Sequence, residues 1–555
     1  MTALSPILVD ILWARIIAIA DEAAATLIST AFSSTVRINY DFALGVFDGQ
    51  GLMLAQANEG SPGQQGCMQP LLHTLLRELP PEEIRPGDIL ITNDPWMGCG
   101  HTPDIYIVTP VFLDGEIAGY LVNCAHHLDL GGALTVEDTH DIYEEGLQIP
   151  PSHLYRGGAA NEELFALIRR NVRHSDQVIG DLRAQLAANH VGSARLLRLL
   201  REQDMRDLHP LATAIVAKTE AAMRSAIASI PDGVYTHALA LEETDRSGKP
   251  LSLCVRMEVR GQEVLVDYAG SSPQVDKPIN SVLNYTKAYT VLGLKMATIP
   301  DLPNNLGTAL PVTVTVPARN VLNPEYPAPL RQRTHVGQLL PEMILRVLSD
   351  AVPDRVVAET GSVPMWVLAL RGRRRDGRIF VGHSHYMGGM GARSFKDGTS
   401  CVKFPGNMAD MPSELLEHDA PVVVEKREFL MDSGGAGRSR GGLGQEVVFR
   451  MLAEEIDPAT PVLASIRAGR LDHAPAGLKG GHPGARGHVV IDGRDIGTQN
   501  RITIFLDAKG RVEFRTPGGG GYYPPAERPM AQVEQDVALG FVSAEQVRQV
   551  YDGGS

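Results

Sequence analysis

Between residues 94 and 153 the chain gathers side chains that bind metals and move protons. They are Asp94, His101, Asp104, His126, His127, Asp129, Asp138, His140, Asp141, Glu144, Glu145 and His153. Five of the 17 histidines fall in this span. Imidazole combined with carboxylate suits Zn, Mn, Fe or Co better than Ca or Mg, which favour oxygen ligands alone. A solitary His-x-x-Asp such as His101–Asp104 is a common chance pattern, usually a surface pair or a helix cap. It gains meaning only if the fold brings further ligands to it.

The elements around it supply that convergence. Ile105 to Phe112 and Glu116 to Ala125 read as strands, separated by Leu113-Asp114-Gly115 with glycine where positive φ is wanted. An antiparallel pair joined there returns residues 124–126 beside Asp104, and neighbouring strands lie only about 4.8 Å apart. His101, Asp104 and one histidine of the His126-His127 pair can then share a metal. The two histidines point to opposite faces, so the register chooses between them. A three-residue loop over 113–115 pairs 112 with 116 and puts His126 on Asp104's face. A two-residue turn over 114–115 favours His127. The three-residue loop is the expectation, with His126 as ligand and His127 as its support or as a proton carrier.

The flanking chain is built to hold such a site. Leu8, Ile11, Leu12, Ile16 and Ile19 recur at helical spacing and predict a long opening helix over 6–32. Residues 35–56 read as a hairpin turning at Asp48-Gly49-Gln50-Gly51, and 68–79 as a helix ended by the Pro- and acid-rich stretch 80–86. Residues 160–229 are rich in Ala, Leu, Arg and Glu and predict a helical region. Strand-like alternation comes next over 234–270 and 310–316, then a Pro/Asn-rich connector at 320–329 and a helix at 339–348. From about 380 the chain turns to glycine-rich loops between strands, at 388–391, 433–437 and 518–521, and closes on a helical tail capped at Ser543. These patterns predict a mixed α+β fold with antiparallel-rich sheets. Three regions are expected: a metal-site region over 1–230, a mixed region over 231–380 and a glycine-rich β region over 381–555.

Composition narrows the classes of function. At 555 residues, 44% hydrophobic and 21% charged, the chain is long enough for several subdomains and ordinary for a globular protein. Lys plus Arg number 51 against 65 for Asp plus Glu, a net charge of −14 with no basic block. That argues against nucleic acid or anionic membrane as partner. Five scattered cysteines without CxxC argue against a disulfide framework or thiolate zinc site and predict a reducing, cytoplasmic setting. Cys99 and Cys124 lie near the candidate ligands but are read as packing residues. Asp10, Arg15 and Asp21 interrupt the N-terminal apolar stretch, so no signal peptide is expected. The glycine-rich segments match neither phosphate-binding loop pattern, and are read as close backbone approach rather than as an ATP site.

These motifs also resemble a known family. Gly87-Asp88, Asn93-Asp94-Pro95, Gly100-His101-Thr102-Pro103-Asp104, Pro110-Val111-Phe112 and the run from His126 to Gly132 are similar to the hydantoinase B/oxoprolinase family. So, in order, are Glu145-Gly146-Leu147, Asn171-Val172-Arg173, Gly180 to Gln185, Asn323-Pro324, Gly389 to Arg393, Asp432 to Gly437 and Gly518 to Tyr522. The resemblance implies the metal-bearing subunit of an ATP-dependent enzyme acting with an ATP-binding hydantoinase A-type subunit as a hetero-oligomer. That partner activates the substrate by phosphorylation. At the metal site the activated lactam or enolate is attacked, by water in hydrolases or onto carbon dioxide in carboxylases.

Carried over residue by residue, the metal ligands fall on His101, Asp104 and His126. His127, Asp129 and Glu145 are the expected proton carriers. One departure stands out: where the family pattern leads one to expect Pro-x-His-x-Gly-x-Met, this chain has Gln64 in place of the histidine. The function expected is ring opening of a cyclic amide such as a hydantoin, 5-oxoproline or a lactam. A ketone carboxylase is the alternative, and an inactive assembly subunit a third reading.

Overall fold

The computed structural model describes residues 4–133 and 139–551; Asp138 lies outside them. The fold is mixed α+β with mostly antiparallel sheets, and its residues divide into two compact units. The first unit takes 1–236, 253–333 and 406–408; the second takes 237–252, 334–405 and 409–555. The expected region 1–230 falls wholly in the first unit, 231–380 is divided between the two, and 381–555 falls in the second apart from 406–408. Among the described residues no helix is long and apolar enough to cross a membrane.

The first unit opens with α1 (Pro6–Thr30), whose side chains Leu12, Ile16, Ala20, Ala23 and Leu27 are buried along one stripe. A short helix, α2 (Ser34–Arg37), takes up the start of the hairpin expected from residue 35, because Ser33 caps it by accepting from Val36 N–H. Next come β1 (Phe42–Asp48) and β2 (Met53–Gln56), then α3 (Pro62–Glu78). This helix starts six residues earlier than its apolar spacing predicted, since Pro62 is preset for a first turn. The sheet continues with β3 (Ile89–Thr92), β4 (Asp104–Leu113), β5 (Glu116–His126), β6 (Ser152–Arg156) and β7 (Ala159–Ala160). Its seven strands are ordered β2-β1-β5-β4-β3-β6-β7. The helical region is α4 (Glu162–Asn171), α5 (Ser175–Glu202) and α6 (His209–Ile227).

Strand alternation sorts the side chains of this sheet between two helical layers. Phe42, Leu44 and Val46 of β1 join Leu121 and Ala125 of β5 in one core with α1 and α5. Ile105 and Ile107 of β4 pack with Val178, Ile179 and Leu182 of α5. The other face meets α3: a Cβ added to Gly45 would lie 3.1 Å from Met68.

A second sheet is ordered β11-β10-β9-β8, from β8 (Gly233–Thr244), β9 (Pro250–Arg260), β10 (Glu263–Asp267) and β11 (Val312–Thr315). Only β10 and β11 of it run parallel among the described pairings, with α7 (Leu283–Thr298) between them.

The second unit holds α8 (Thr334–Gly337) and α9 (Leu340–Leu348), then strands β12 (Trp366–Arg373) to β20 (Arg511–Arg515) in two antiparallel sheets. Trp366, Phe449 and Phe514 are buried in its core. Its three glycine-rich segments stack on one another. A Cβ on Gly519 would fall 2.1 Å from Met390 O, and one on Gly518 1.8 Å from Ser433 O, so only glycine fits. These runs therefore serve close backbone approach, as read from the sequence. In the tail, Ser543 caps its helix by accepting from Gln546 N–H.

Candidate metal centre

The hairpin of β4 and β5 builds the site. Its turn is tighter than the expected three-residue loop: Leu113 pairs with Glu116, and Asp114 and Gly115 both have positive φ. That is the backbone of a primed two-residue turn, which Asp-Gly favours. Taken alone it would have shifted the frame by one residue. A bulge beyond it compensates, since Phe112 pairs with Ile117 but Val111 with Gly119. Asp104 consequently faces His126 directly. The face is the expected one, reached by two-residue turn plus bulge.

Asp104 and His126 project toward α3, and the loop before β4 adds His101. One ligand atom from each of His101, Asp104 and His126 falls within 4.8 Å of the others. His126 Nδ1 lies 3.0 Å from Asp104 Oδ1, His101 Nδ1 lies 3.5 Å from Oδ2, and the two imidazoles stack at 4.9 Å.

Three further residues complete the surroundings: Arg333 and Asp41, which no local spacing had pointed to, and Cys99, which was read from the sequence as packing but bonds to a ligand. Arg333, buried, donates to Asp104 Oδ2 at 2.7 Å and lies 4.6 Å over the ring of Tyr285 on α7. The Cys99 thiol donates to the same oxygen at 2.8 Å. Asp41, just ahead of β1, places Oδ2 3.9 Å from His126 Nδ1. Gln64, noted for its departure from the family pattern, sits inside the cluster: its Nε2 donates to both Asp41 and Asp104 at 3.1 Å. Arg333 and Asp104 are 229 residues apart in sequence, so only tertiary structure could join them.

The electrostatics match a ligand set. Burial, reinforced by the Arg333 charge, holds His101 well below the usual imidazole range. Burial alone would raise Asp104, but His101 and Arg333 outweigh it and keep the carboxyl well below its ordinary value. A neutral imidazole and an ionised carboxylate are the states metal ligation requires. His101 Nδ1 is also buried without a well-formed hydrogen bond. The residues present thus fit a divalent ion of the Zn, Mn, Fe or Co type.

The expected proton carriers are placed differently. His127 lies on the opposite face of β5's end, fully buried, with Nε2 3.0 Å from Gln185 Oε1 on α5. Gln185 also donates to Ile105 O and Asn123 Oδ1, so His127 belongs to a network tying α5 to the sheet. Asp129 forms an ion pair with Arg173 at 2.7 Å and accepts from the Arg173 and Gly131 N–H groups. Neither is gathered with the trio. Glu145 is buried, and its Oε1 accepts from Leu330 and Arg331 N–H at 2.5 and 2.8 Å. Its Oε2 has no partner, and burial pushes its pKa up to about 7.

The hydantoinase B/oxoprolinase family model matches residues 5–525. The chain belongs to that family. As a hydantoinase B-type chain it is 32% identical over 529 residues to an uncharacterised protein of Methanocaldococcus jannaschii, covering 94% of this chain and 91% of that one. It is 30% identical over 550 residues to caprolactamase subunit beta of Pseudomonas jessenii, covering 96% and 93%. The crystal structure of that organism's ATP-dependent caprolactamase superposes with a TM-score of 0.87 at 28% identity, over 100% of this chain and 98% of that one. A nucleotide-free acetone carboxylase also gives 0.87, over 99% and 79%, and at 18% identity speaks for the shared fold alone.

Proposed function

We propose that the chain is the metal-bearing subunit of an ATP-dependent cyclic amide hydrolase that works with an ATP-binding hydantoinase A-type subunit. The observation that carries this reading is the convergence of His101, Asp104 and His126 in a hydantoinase B-type fold whose sequence offers no phosphate-binding loop. Kinship at 30% identity with a caprolactamase subunit supports hydrolysis of a cyclic amide over the carboxylase alternative, whose representative matches at 18%.

His101, Asp104 and His126 would hold the divalent ion, with Asp41 at its edge. Such an ion supplies Lewis-acid polarisation and a lowered water pKa. Arg333 fixes Asp104 by Oδ2, leaving Oδ1 toward His126, as a neighbour that orients a ligand does. Gln64 braces Asp41 against Asp104 and, being an amide, carries no proton. Glu145, its pKa pushed up to about 7 by burial, is able to gain or lose a proton near neutrality. His127 and Asp129 act through position, the first by bracing Gln185 and the second by anchoring Arg173.

The test is to co-purify the chain with its ATP-binding partner and measure ATP hydrolysis with hydantoin, 5-oxoproline, caprolactam, or acetone plus bicarbonate. Stimulation by a cyclic amide is expected. Stimulation by the ketone alone would overturn the reading. Elemental analysis should find metal in the wild type and little in His101→Ala or Asp104→Ala; full occupancy in both variants would remove the ligand assignment.

A further inference from the structure

The second unit contains a cavity of about 230 Å³ between the end of β8, the helix pair α8–α9 and the loop 470–476. Every residue lining it lies in that unit, and none is a member of the metal centre. The walls are mainly aliphatic, including Leu239, Leu241, Leu339 and Pro364.

The polar groups around it are held firmly. Glu242 accepts from the Leu471, Asp472 and His473 N–H groups at 2.8–3.2 Å, pinning the loop. Arg470 donates to Glu342 at 2.7 Å, to Glu359 at 2.9 Å and to Val363 O at 2.9 Å. Glu243 Oε1 accepts from Asn500 and Arg501 at 3.0 and 2.7 Å.

His335 is the exception. Its side chain is 1% exposed; Nδ1 sits 3.3 Å from Glu243 Oε1 without a well-formed hydrogen bond, and Nε2 has no hydrogen-bond partner at all. A carboxylate beside Nδ1 keeps the ring hydrogen there, which leaves Nε2 as a bare acceptor. Burial, aided by the Arg501 charge, lowers the imidazole to about 4, so the ring is neutral near pH 7. An apolar cavity with one unmet buried acceptor in rigid surroundings has the make-up of a small-molecule site.

We infer that this cavity binds a compact aliphatic molecule bearing one O–H or N–H donor, which His335 Nε2 accepts. Anionic ligands are disfavoured: Glu242, Glu243 and Glu359 line the cavity, and its one arginine is already bonded to two carboxylates.

Ligand-observed NMR on the full chain tests this with three probes of one ring size. Cyclohexanol carries the donor, methoxycyclohexane lacks it, and cyclohexanecarboxylate adds a negative charge. Cyclohexanol is expected to bind about tenfold more tightly than the other two, the difference one satisfied buried hydrogen bond makes. His335→Phe should abolish that preference, and Ala474→Trp, which fills the rim, should abolish binding. Unfolding midpoints near wild type would show that both variants fold. The His101→Ala chain should bind cyclohexanol like wild type. No binding to wild type, equal binding of all three probes, or unchanged binding in both cavity variants would each overturn the inference.

Discussion

Asp104 has two carboxylate oxygens and several neighbours directed at them. Oδ1 takes His126 and Gln64, while Oδ2 takes Arg333 and Cys99. The pair with Arg333 is fully buried, and breaking such a pair strands a charge. Arg333→Met should therefore lower stability by about 3–5 kcal/mol in chelator-treated protein. Saturating divalent ion should restore a good part of that loss, because the ion supplies the missing positive charge. Denaturant titration with and without metal reads this directly, and an equal loss in both conditions would mean the ion does not meet Asp104. Glu145 offers a second test at this scale. Its native pKa of about 7 stands above the ordinary 4.5. A raised acid stabilises the native state fully below 4.5 and loses that contribution as pH rises through 7. Glu145→Gln, neutral throughout, should gain stability over wild type between pH 5 and 8, by up to ~3 kcal/mol. A flat difference across that range would show that Glu145 ionises freely.

The β4–β5 hairpin shows how an element can be right for a different reason than its sequence suggested. Asp-Gly announced a turn, and the alternation of apolar residues announced two strands. Whether the turn took two or three residues was undecided by those residues, and the bulge at Ala118 had no local signature. What fixes the register is β5's pairing on both sides, with β4 and with β1, where Phe42 opposes Ala125. The turn itself should then be dispensable for site geometry. Gly115→Val places a β-branched residue at φ +92°, with nothing within 4 Å of its Cβ. It should destabilise by about 1–2 kcal/mol, with metal content unchanged by elemental analysis. Loss of metal along with stability would show that the turn, and not the sheet, sets the register.

At the scale of the molecule, all members of the candidate centre belong to the first unit. Metal binding should accordingly stabilise that unit first, by about 2.7 kcal/mol at a hundredfold excess over Kd. Hydrogen exchange should slow in α3, β4 and β5 on adding the ion and stay unchanged in β12–β20. Uniform slowing across both units would contradict a centre confined to the first.

By itself the sequence determined the family, the mixed α+β class, most helices and strands, and the patch holding His101, Asp104 and His126. These rest on local periodicity, turn chemistry and motif order, which a chain carries in its own residues. It also exposed Gln64 as a departure, without saying what Gln64 touches. Tertiary structure alone decided that Arg333, Cys99 and Asp41 join the cluster, that His127 and Asp129 serve other partners, and that the bulge restores His126 to Asp104's face. Contacts across 229 residues and a one-residue slip in register leave no trace in spacing, because both are set by which surfaces pack together.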